Sequence, residues 1–287
     1  MAMVTVGSTV VASKVIGAGM PPFTAAALRF ALALPVFLVL LRLAGEALPR
    51  PGARDAMLLV VQAATGSVGY MLLLVFGLRF TAAADAGVVA GSLSAMVAFL
   101  AWALLGERLS RRQIGAIALG SGGVVLVTAG GGGPMRLDAA ALLGNLLVLA
   151  AVACEATFLL LNKRLRVPLA PLALSTVMAG LGLVLAAPFA LLEAAGWTAM
   201  SRAALAAVAW YALVPTVGGF LLWYAGARRL SGSQAALTTG VLPVSAVALA
   251  ALVLGEPVSP AQGVGMLAVL AAVVLGASIS GAPRKTP

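Results

Sequence analysis

Residues 77–113 read GLRFTAAADAGVVAGSLSAMVAFLAWALLGERLSRRQ, and a second version, GARRLSGSQAALTTGVLPVSAVALAALVLGEPVSPAQ, begins 149 residues later at Gly226. Twelve of the 37 positions are identical without a gap, including Arg79/Arg228, Gly91/Gly240, Gly106/Gly255, Glu107/Glu256, Ser110/Ser259 and Gln113/Gln262. A chain rich in Ala and Leu matches itself by composition at apolar positions, but not at Gly, Glu, Ser and Gln together. The same offset aligns Lys14 with Lys163, Pro22 with Pro171 and Gly69 with Gly218. The fold must therefore be buildable from one unit used twice.

Apolar residues make up 62% of the chain and charged residues 9%, with a mean hydropathy of +1.12. A water-soluble core of 287 residues cannot hide that much apolar surface, so the chain is expected to be an all-α, multi-pass membrane protein. Cutting at charges, prolines and glycines leaves ten candidate spans, roughly 3–18, 22–43, 55–77, 82–105, 111–129, 139–161, 169–192, 203–225, 231–254 and 260–280. The first is expected to be short or tilted. No Lys or Arg precedes Lys14, so residues 1–17 read as a retained span and not as a cleaved signal. The net charge of +10 would suggest nucleic acid in a soluble protein, but here the basic residues sit in short breaks between apolar runs, and no nucleic-acid partner is expected. Cys154 is the only cysteine and lies inside an apolar run, where packing is its expected role.

Five spans per unit is an odd number, so the second unit must enter the bilayer from the opposite side, which predicts two inverted five-helix repeats. The charges agree: thirteen of the 18 Lys and Arg residues fall on one side of this threading, against Arg79, Arg136 and Arg202 on the other. By the positive-inside rule both termini are cytoplasmic, and an inner cell membrane is the expected location. Arg108, Arg111 and Arg112 become Pro257, Pro260 and Ala261 in the copy whose loop faces outward. The expected division is residues 1–129, a glycine-rich linker 130–137, residues 138–281 and a basic cytoplasmic tail 282–287.

Ser110 with Gln113, and Ser259 with Gln262, have the spacing of a capping box, and Pro260 occupies the first helical position after Ser259. Both motifs predict a helix start. Glu107 and Glu256, just upstream, read first as carboxylates favouring the positive end of that helix.

The chain contains no histidine, and it shows no metal-ligand cluster and no phosphate-binding glycine loop after a strand, so neither an enzyme, a metal nor a cofactor is expected. The small residues from Gly115 to Gly123 predict close helix packing. What remains is polarity inside the spans, which must face protein, water or ligand. Gln62, Thr65, Gly66, Gly69 and Tyr70 share a face of the third span, and Tyr211, Pro215, Gly218, Gly219 and Trp223 a face of the eighth. Asp85 and Ser92 on the fourth correspond to Gln234 and Val241 on the ninth, which also carries Thr238 and Ser245. The sixth carries Asn145, Glu155, Thr157 and Phe158, with Glu155 the deepest carboxylate. Gln62, Tyr70, Ser92, Glu155, Phe158, Tyr211, Trp223 and Thr238 are the candidate cavity residues, and Glu155 with Asp85 the candidate proton or charge sites. Helix–helix hydrogen bonding is the competing role for the single hydroxyls. Arg29 is expected to snorkel to the interface, and Asp85 to lie near enough to it for solvation. Pro243 is expected to break the ninth span and serve as a hinge, whereas its counterpart Ser94 leaves the fourth unbroken.

GERLSRRQ after an apolar helix, its echo GEPVSPAQ, the early GSTVVASK and PPFTAAALRF together resemble the EamA repeats of the drug/metabolite transporter superfamily, over essentially the whole chain. The resemblance implies ten helices in two inverted repeats, a central cavity, and export of small metabolites by alternating access. Within that superfamily the YddG-type exporters of aromatic and neutral amino acids are the nearest match, carried by Tyr70, Trp223 and LLLNKRL at 159–165; the small residues of 90–96 depart from that subgroup's aromatics. The expected partners are a small-molecule substrate, an amino acid or related metabolite, and the lipid bilayer, with a monomer as the expected unit. Two rival readings are a proton-coupled exporter of cationic drugs working through Glu155, and a membrane scaffold or enzyme without flux.

Overall fold

Prolines and glycines punctuate this chain, and the helices begin and end where they fall. In the computed structural model, which describes residues 2–105, 111–130, 139–162, 164–166, 169–219, 221–222 and 241–277, all regular structure is helical. Helix α1 is Ala2–Gly19, α2 is Pro22–Leu43, α3 is Ala53–Gln62 and α4 is Tyr70–Gly77, these last two joined through a π-helical stretch Ala63–Gly69. Then come α5 (Ala83–Ala90), α6 (Leu93–Leu105), α7 (Arg111–Gly130), α8 (Ala139–Asn162) and α9 (Pro171–Leu192). After a 3₁₀ turn at Ala194–Ala199 follow α10 (Arg202–Tyr211), a second π-helical stretch Ala212–Gly218, α11 (Val241–Leu254) and α12 (Pro260–Ala277). The runs Pro22–Leu43, Ala53–Gly77, Ala139–Phe158 and Pro171–Leu192 are long and apolar enough to cross a membrane. Helix α1 is shorter, as expected.

Displaced by 149 residues, α2 lands on α9, α3 on α10 and the first π stretch on the second, residue for residue. Local chemistry accounts for this. Pro22 and Pro171 start their helices at a position where the missing N–H has no intrahelical partner to lose. Pro215 interrupts the ladder in one π stretch, and its equivalent, Gly66, is the poorest helix former short of proline. The packing is reciprocal as well. Helix α1 packs on α10 and α11, and its equivalent α8 packs on α3, α4 and α6; α2 lies against α9 and the second π stretch, α9 against α2 and the first; α7 pairs with α12. Exchange of this kind is what a pseudo-two-fold relation between like units produces.

Small residues set the spacing. A Cβ on Gly77 would meet the Gly144 carbonyl at 2.9 Å, and one on Gly144 the Gly77 carbonyl at 2.9 Å, so α4 and α8 approach backbone to backbone. In the glycine-rich α7 only part of the expected close packing is realised: Gly123 faces the Gly265 carbonyl of α12, while Gly115 and Gly122 have open space.

Two expectations need correction. The fourth span, expected to run unbroken, is interrupted at Gly91–Ser92 between α5 and α6, opposite Pro243 of α11. The two features meet, because a Cβ on Gly91 would fall 2.8 Å from Pro243 Cβ. Glu256 has a partner other than its own downstream helix: Ala83 N–H and Ala84 N–H donate to its Oε1 and Oε2 at 3.1 and 2.9 Å, so it caps α5 in the opposite half. Glu193 does the same for α2, accepting from Thr24 N–H at 2.8 Å and from the Thr24 hydroxyl at 3.0 Å. The capping box at Ser259 forms as expected, with Ser259 N–H donating to Gln262 Oε1 at 2.7 Å and Gln262 N–H to Ser259 Oγ at 3.2 Å. Glu107, Ser110, residues 131–137 of the 130–137 linker and the tail 282–287 lie outside the described residues.

Candidate functional site

Arg29 stands on the buried stripe of α2 with Ala25, Ala26, Phe30, Ala33 and Phe37. It is 7% exposed, which corrects the snorkelling expectation: its periodicity points it at the protein and not at the interface. Its guanidinium carbon lies 4.3 Å from the centre of the Tyr211 ring and 4.7 Å from that of Phe30, a double cation–π contact. Nε donates to Thr216 Oγ1 at 2.9 Å, and the Thr216 hydroxyl donates to the Tyr211 carbonyl, five residues back, at 2.8 Å. The second π stretch thus presents the threonine that holds the guanidinium in place. Nη1 of Arg29 has no hydrogen-bond partner among the described residues.

Tyr70 of α4, Tyr211 of α10 and Glu155 of α8 are within electrostatic range of Arg29, and the Thr9 hydroxyl of α1 lies beside both phenols. Arg29 and Glu155 interact through space, without a direct hydrogen bond. Tyr70 and Glu155 are each half-buried. Five helices, α1, α2, α4, α8 and α10, thus bring together one cation, one carboxylate and two phenols.

The other candidate residues are distributed differently. Gln62 is 0% exposed and donates from Nε2 to the Phe158 carbonyl at 3.2 Å. Phe158 packs with Leu59, Ala63, Leu174 and Met178. The hydroxyl of Ser92, buried in the break after α5, donates to the Val89 carbonyl of α5 at 2.7 Å. Asp85 is 8% exposed, not solvated at the interface as expected, and accepts from Gln262 Nε2 at 2.7 Å; Lys14, on the same side of the bundle, donates to the Thr81 carbonyl at 2.6 Å. Pro243 lies within α11, packed on Gly91. Trp223 and Thr238 lie outside the described residues. A wholly apolar groove of about 310 Å³ runs along the α2–α9 seam, lined by Ala27, Ala31, Leu183, Ala187, Leu191 and Trp197.

The repeat makes the polar cluster one-sided. Thr9, Arg29, Tyr211 and Thr216 correspond to Phe158, Met178, Gln62 and Ser67, and Glu155 corresponds to Val6. Thr9, Arg29 and Thr216 were absent from the candidate residues. The helical stripe through Arg29 was the legible signal for one of them, while nothing in the pattern around Thr9 and Thr216 set them apart from other hydroxyls.

Replacing Thr216 by Val keeps the shape and removes one hydroxyl. The Arg29 Nε and the Tyr211 carbonyl then lose their partner, and a drop of about 1–2 kcal/mol in stability is expected, read as a lower melting temperature in detergent micelles. An unchanged melting temperature would show that the hydroxyl does not hold the guanidinium.

The sequence pattern of the EamA-like transporter family matches residues 1–129 and again 142–277. The chain belongs to that family, within the drug/metabolite transporter superfamily: it is a multi-pass membrane transporter of small molecules, not an enzyme. It is 33% identical over 274 residues to the uncharacterized transporter YetK of Bacillus subtilis, covering 95% of this chain and 83% of that one. A probable terminal-alkyne amino-acid exporter of Streptantibioticus cattleyicolor is 27% identical over 226 residues, 79% of this chain and 74% of its own. A solved crystal structure superposes with a TM-score of 0.68 over 97% of this chain and 94% of its own, at 22% identity, a likeness of fold alone.

Proposed function

We propose that this transporter exports small amphipathic metabolites, amino acids foremost, across the inner cell membrane by alternating access between two inverted five-span halves. The halves are residues 1–129 and 138–281, joined by the linker 130–137, with both termini and the tail 282–287 in the cytoplasm. Supporting the inverted threading is the pairing of chain breaks. Ser201 N–H donates to the Gly19 carbonyl at 2.9 Å, Glu193 caps α2, and Glu256 caps α5. Each pairs an outward break of one half with an outward break of the other, whereas a parallel arrangement would bring equivalent breaks together.

The observation that carries the substrate class is the cluster in which Arg29 and Glu155 lie within electrostatic range of each other beside the phenols of Tyr70 and Tyr211. Opposite charges among aromatic surfaces suit a solute with both ionic and apolar parts. A cationic-drug exporter would be served by Glu155 alone; Arg29 within range works against a bound cation. The named amino-acid exporter among the relatives agrees with the same reading. Trp223 and Thr238 complete the proposed lining. In proteoliposomes, counterflow of labelled neutral amino acids is expected, and bulky groups attached to cysteines placed at Ser92 and Thr238 are expected to block it. Exchange of tetraphenylphosphonium without any amino-acid exchange would overturn the proposal.

A further inference from the structure

The two π-helical stretches occupy equivalent places, yet different chemistry makes each of them. In the first, a Cβ on Gly69 would stand 2.8 Å from the Ala64 carbonyl of its own stretch, so the turn depends on an absent side chain. A Cβ on its equivalent, Gly218, would stand 3.5 Å from the Leu213 carbonyl, an ordinary contact. The second turn depends instead on Pro215 and Thr216. Pro215 has no N–H to offer the Tyr211 carbonyl four residues earlier, and the Thr216 hydroxyl donates to that carbonyl at 2.8 Å. The same hydroxyl accepts from Arg29 Nε at 2.9 Å, which ties a side chain of the opposite half into the turn. Arg29 is more than nine-tenths buried against Phe30 and Tyr211, and its remaining Nη1 is sealed from solvent, so its hydrogen bonding serves the protein. The first stretch has no such tie: Ser67 stands for Thr216 and Met178 for Arg29. The Thr65 hydroxyl bonds only to carbonyls of its own segment, those of Val61 and Gln62, at 2.9 and 3.3 Å. Across the halves, Gln62 reaches the Phe158 carbonyl from the end of α3 at 3.2 Å, and Phe158 packs on Gly66 as an apolar contact.

We propose that the two stretches do different work: Ala63–Gly69 is the flexing point of the bundle, and Ala212–Gly218 is its anchor, with Arg29 as the positioning residue that locks it across the halves. A π-helical stretch interrupts the regular ladder and is frequent at functional sites. Segments that move in a cycle are drawn from those that open locally at low cost. A hydrogen bond from a charged donor is of the stronger kind, and here it falls on the one hydroxyl that replaces the missing N–H of Pro215. Helix α2, α10 and the second stretch therefore move as one body, while α3 swings against α4 about the first. The use of this motion rests on the alternating-access reading above, whereas the difference between the two stretches is measured without any solute.

The test is amide hydrogen exchange of the full chain in detergent micelles, read by mass spectrometry on peptides covering each stretch. In the unaltered protein the amides of 63–69 are expected to exchange about tenfold or more faster than those of 212–218. Thr216→Val and Arg29→Met, the latter installing the residue of the other half, are each expected to speed exchange in 212–218 by about tenfold and to leave 63–69 as it was. Thr216→Ser keeps the hydroxyl and is expected to restore protection to within about twofold of the parent. Equal exchange of the two stretches in the unaltered protein would overturn the proposal, as would full protection of 212–218 in Thr216→Val. A rise spread over the whole chain in that variant would mean general loosening and would also overturn it. Should a variant fail to fold, the comparison of the two stretches in the unaltered protein, together with Thr216→Ser, decides the matter. Loss of this asymmetry leaves amino-acid transport standing, and a failure to exchange amino acids leaves the asymmetry standing.

Discussion

Gly66→Leu is expected to yield little folded protein, and Gly66→Ala a destabilisation of about 1–3 kcal/mol, the range for overpacked cores. An added Cβ at Gly66 would lie 2.5 Å from both Cβ and Cγ of Phe158. The ring can turn away, but Cβ of Phe158 is carried by the α8 backbone and moves only if the helix moves. Phe158→Ala should therefore rescue Gly66→Ala in part and not fully, giving a measurable coupling in a double-mutant cycle of melting temperatures. Full rescue would show that the ring alone sets the distance, and an unaltered melting temperature for Gly66→Ala would show that α8 yields freely.

Glu256→Ala should cost about 2–3 kcal/mol, because it removes two charge-assisted hydrogen bonds at once. Helix α5 has no side-chain cap of its own: its N-cap is Ala82. The carboxylate from the other half supplies what a local Ser or Asp supplies elsewhere. Glu256→Gln retains one oxygen and loses the charge at the positive helix end, so its melting temperature should fall between those of the alanine variant and the parent. Equal losses for Gln and Ala would assign the effect to charge alone.

These residues mark what is legible in a sequence of this kind. Helix limits are local matters, and Pro22, Pro171, Ser259 and Gln262 announce them within one turn. The π stretches were within reach as well, since Gly66 and Pro215 occupy equivalent positions and both disfavour an ordinary ladder. The partner of Glu256 is different. Its position ahead of a helix suggested that helix, whereas the free N–H groups of Ala83 and Ala84 lie 173 and 172 residues earlier in the chain and meet it only once the halves dock. Arg29 fell between the two cases: the stripe of Ala26, Phe30, Ala33 and Phe37 fixes which way it faces, but the habit of long basic chains to seek the interface argued the other way.

The unequal substitution of the two halves bears on stoichiometry. A pair of identical five-span chains, related by an axis through their contact, would hold either two copies of the Arg29 cluster or none. Within the one polypeptide Thr9, Arg29, Tyr211 and Thr216 stand where the other half has Phe158, Met178, Gln62 and Ser67, so the Arg29 cluster has no charged counterpart there. In the cycle proposed above, one charged cluster per molecule would take one cargo at a time, and the outward and inward strokes, though built from like parts, would not be mirror events.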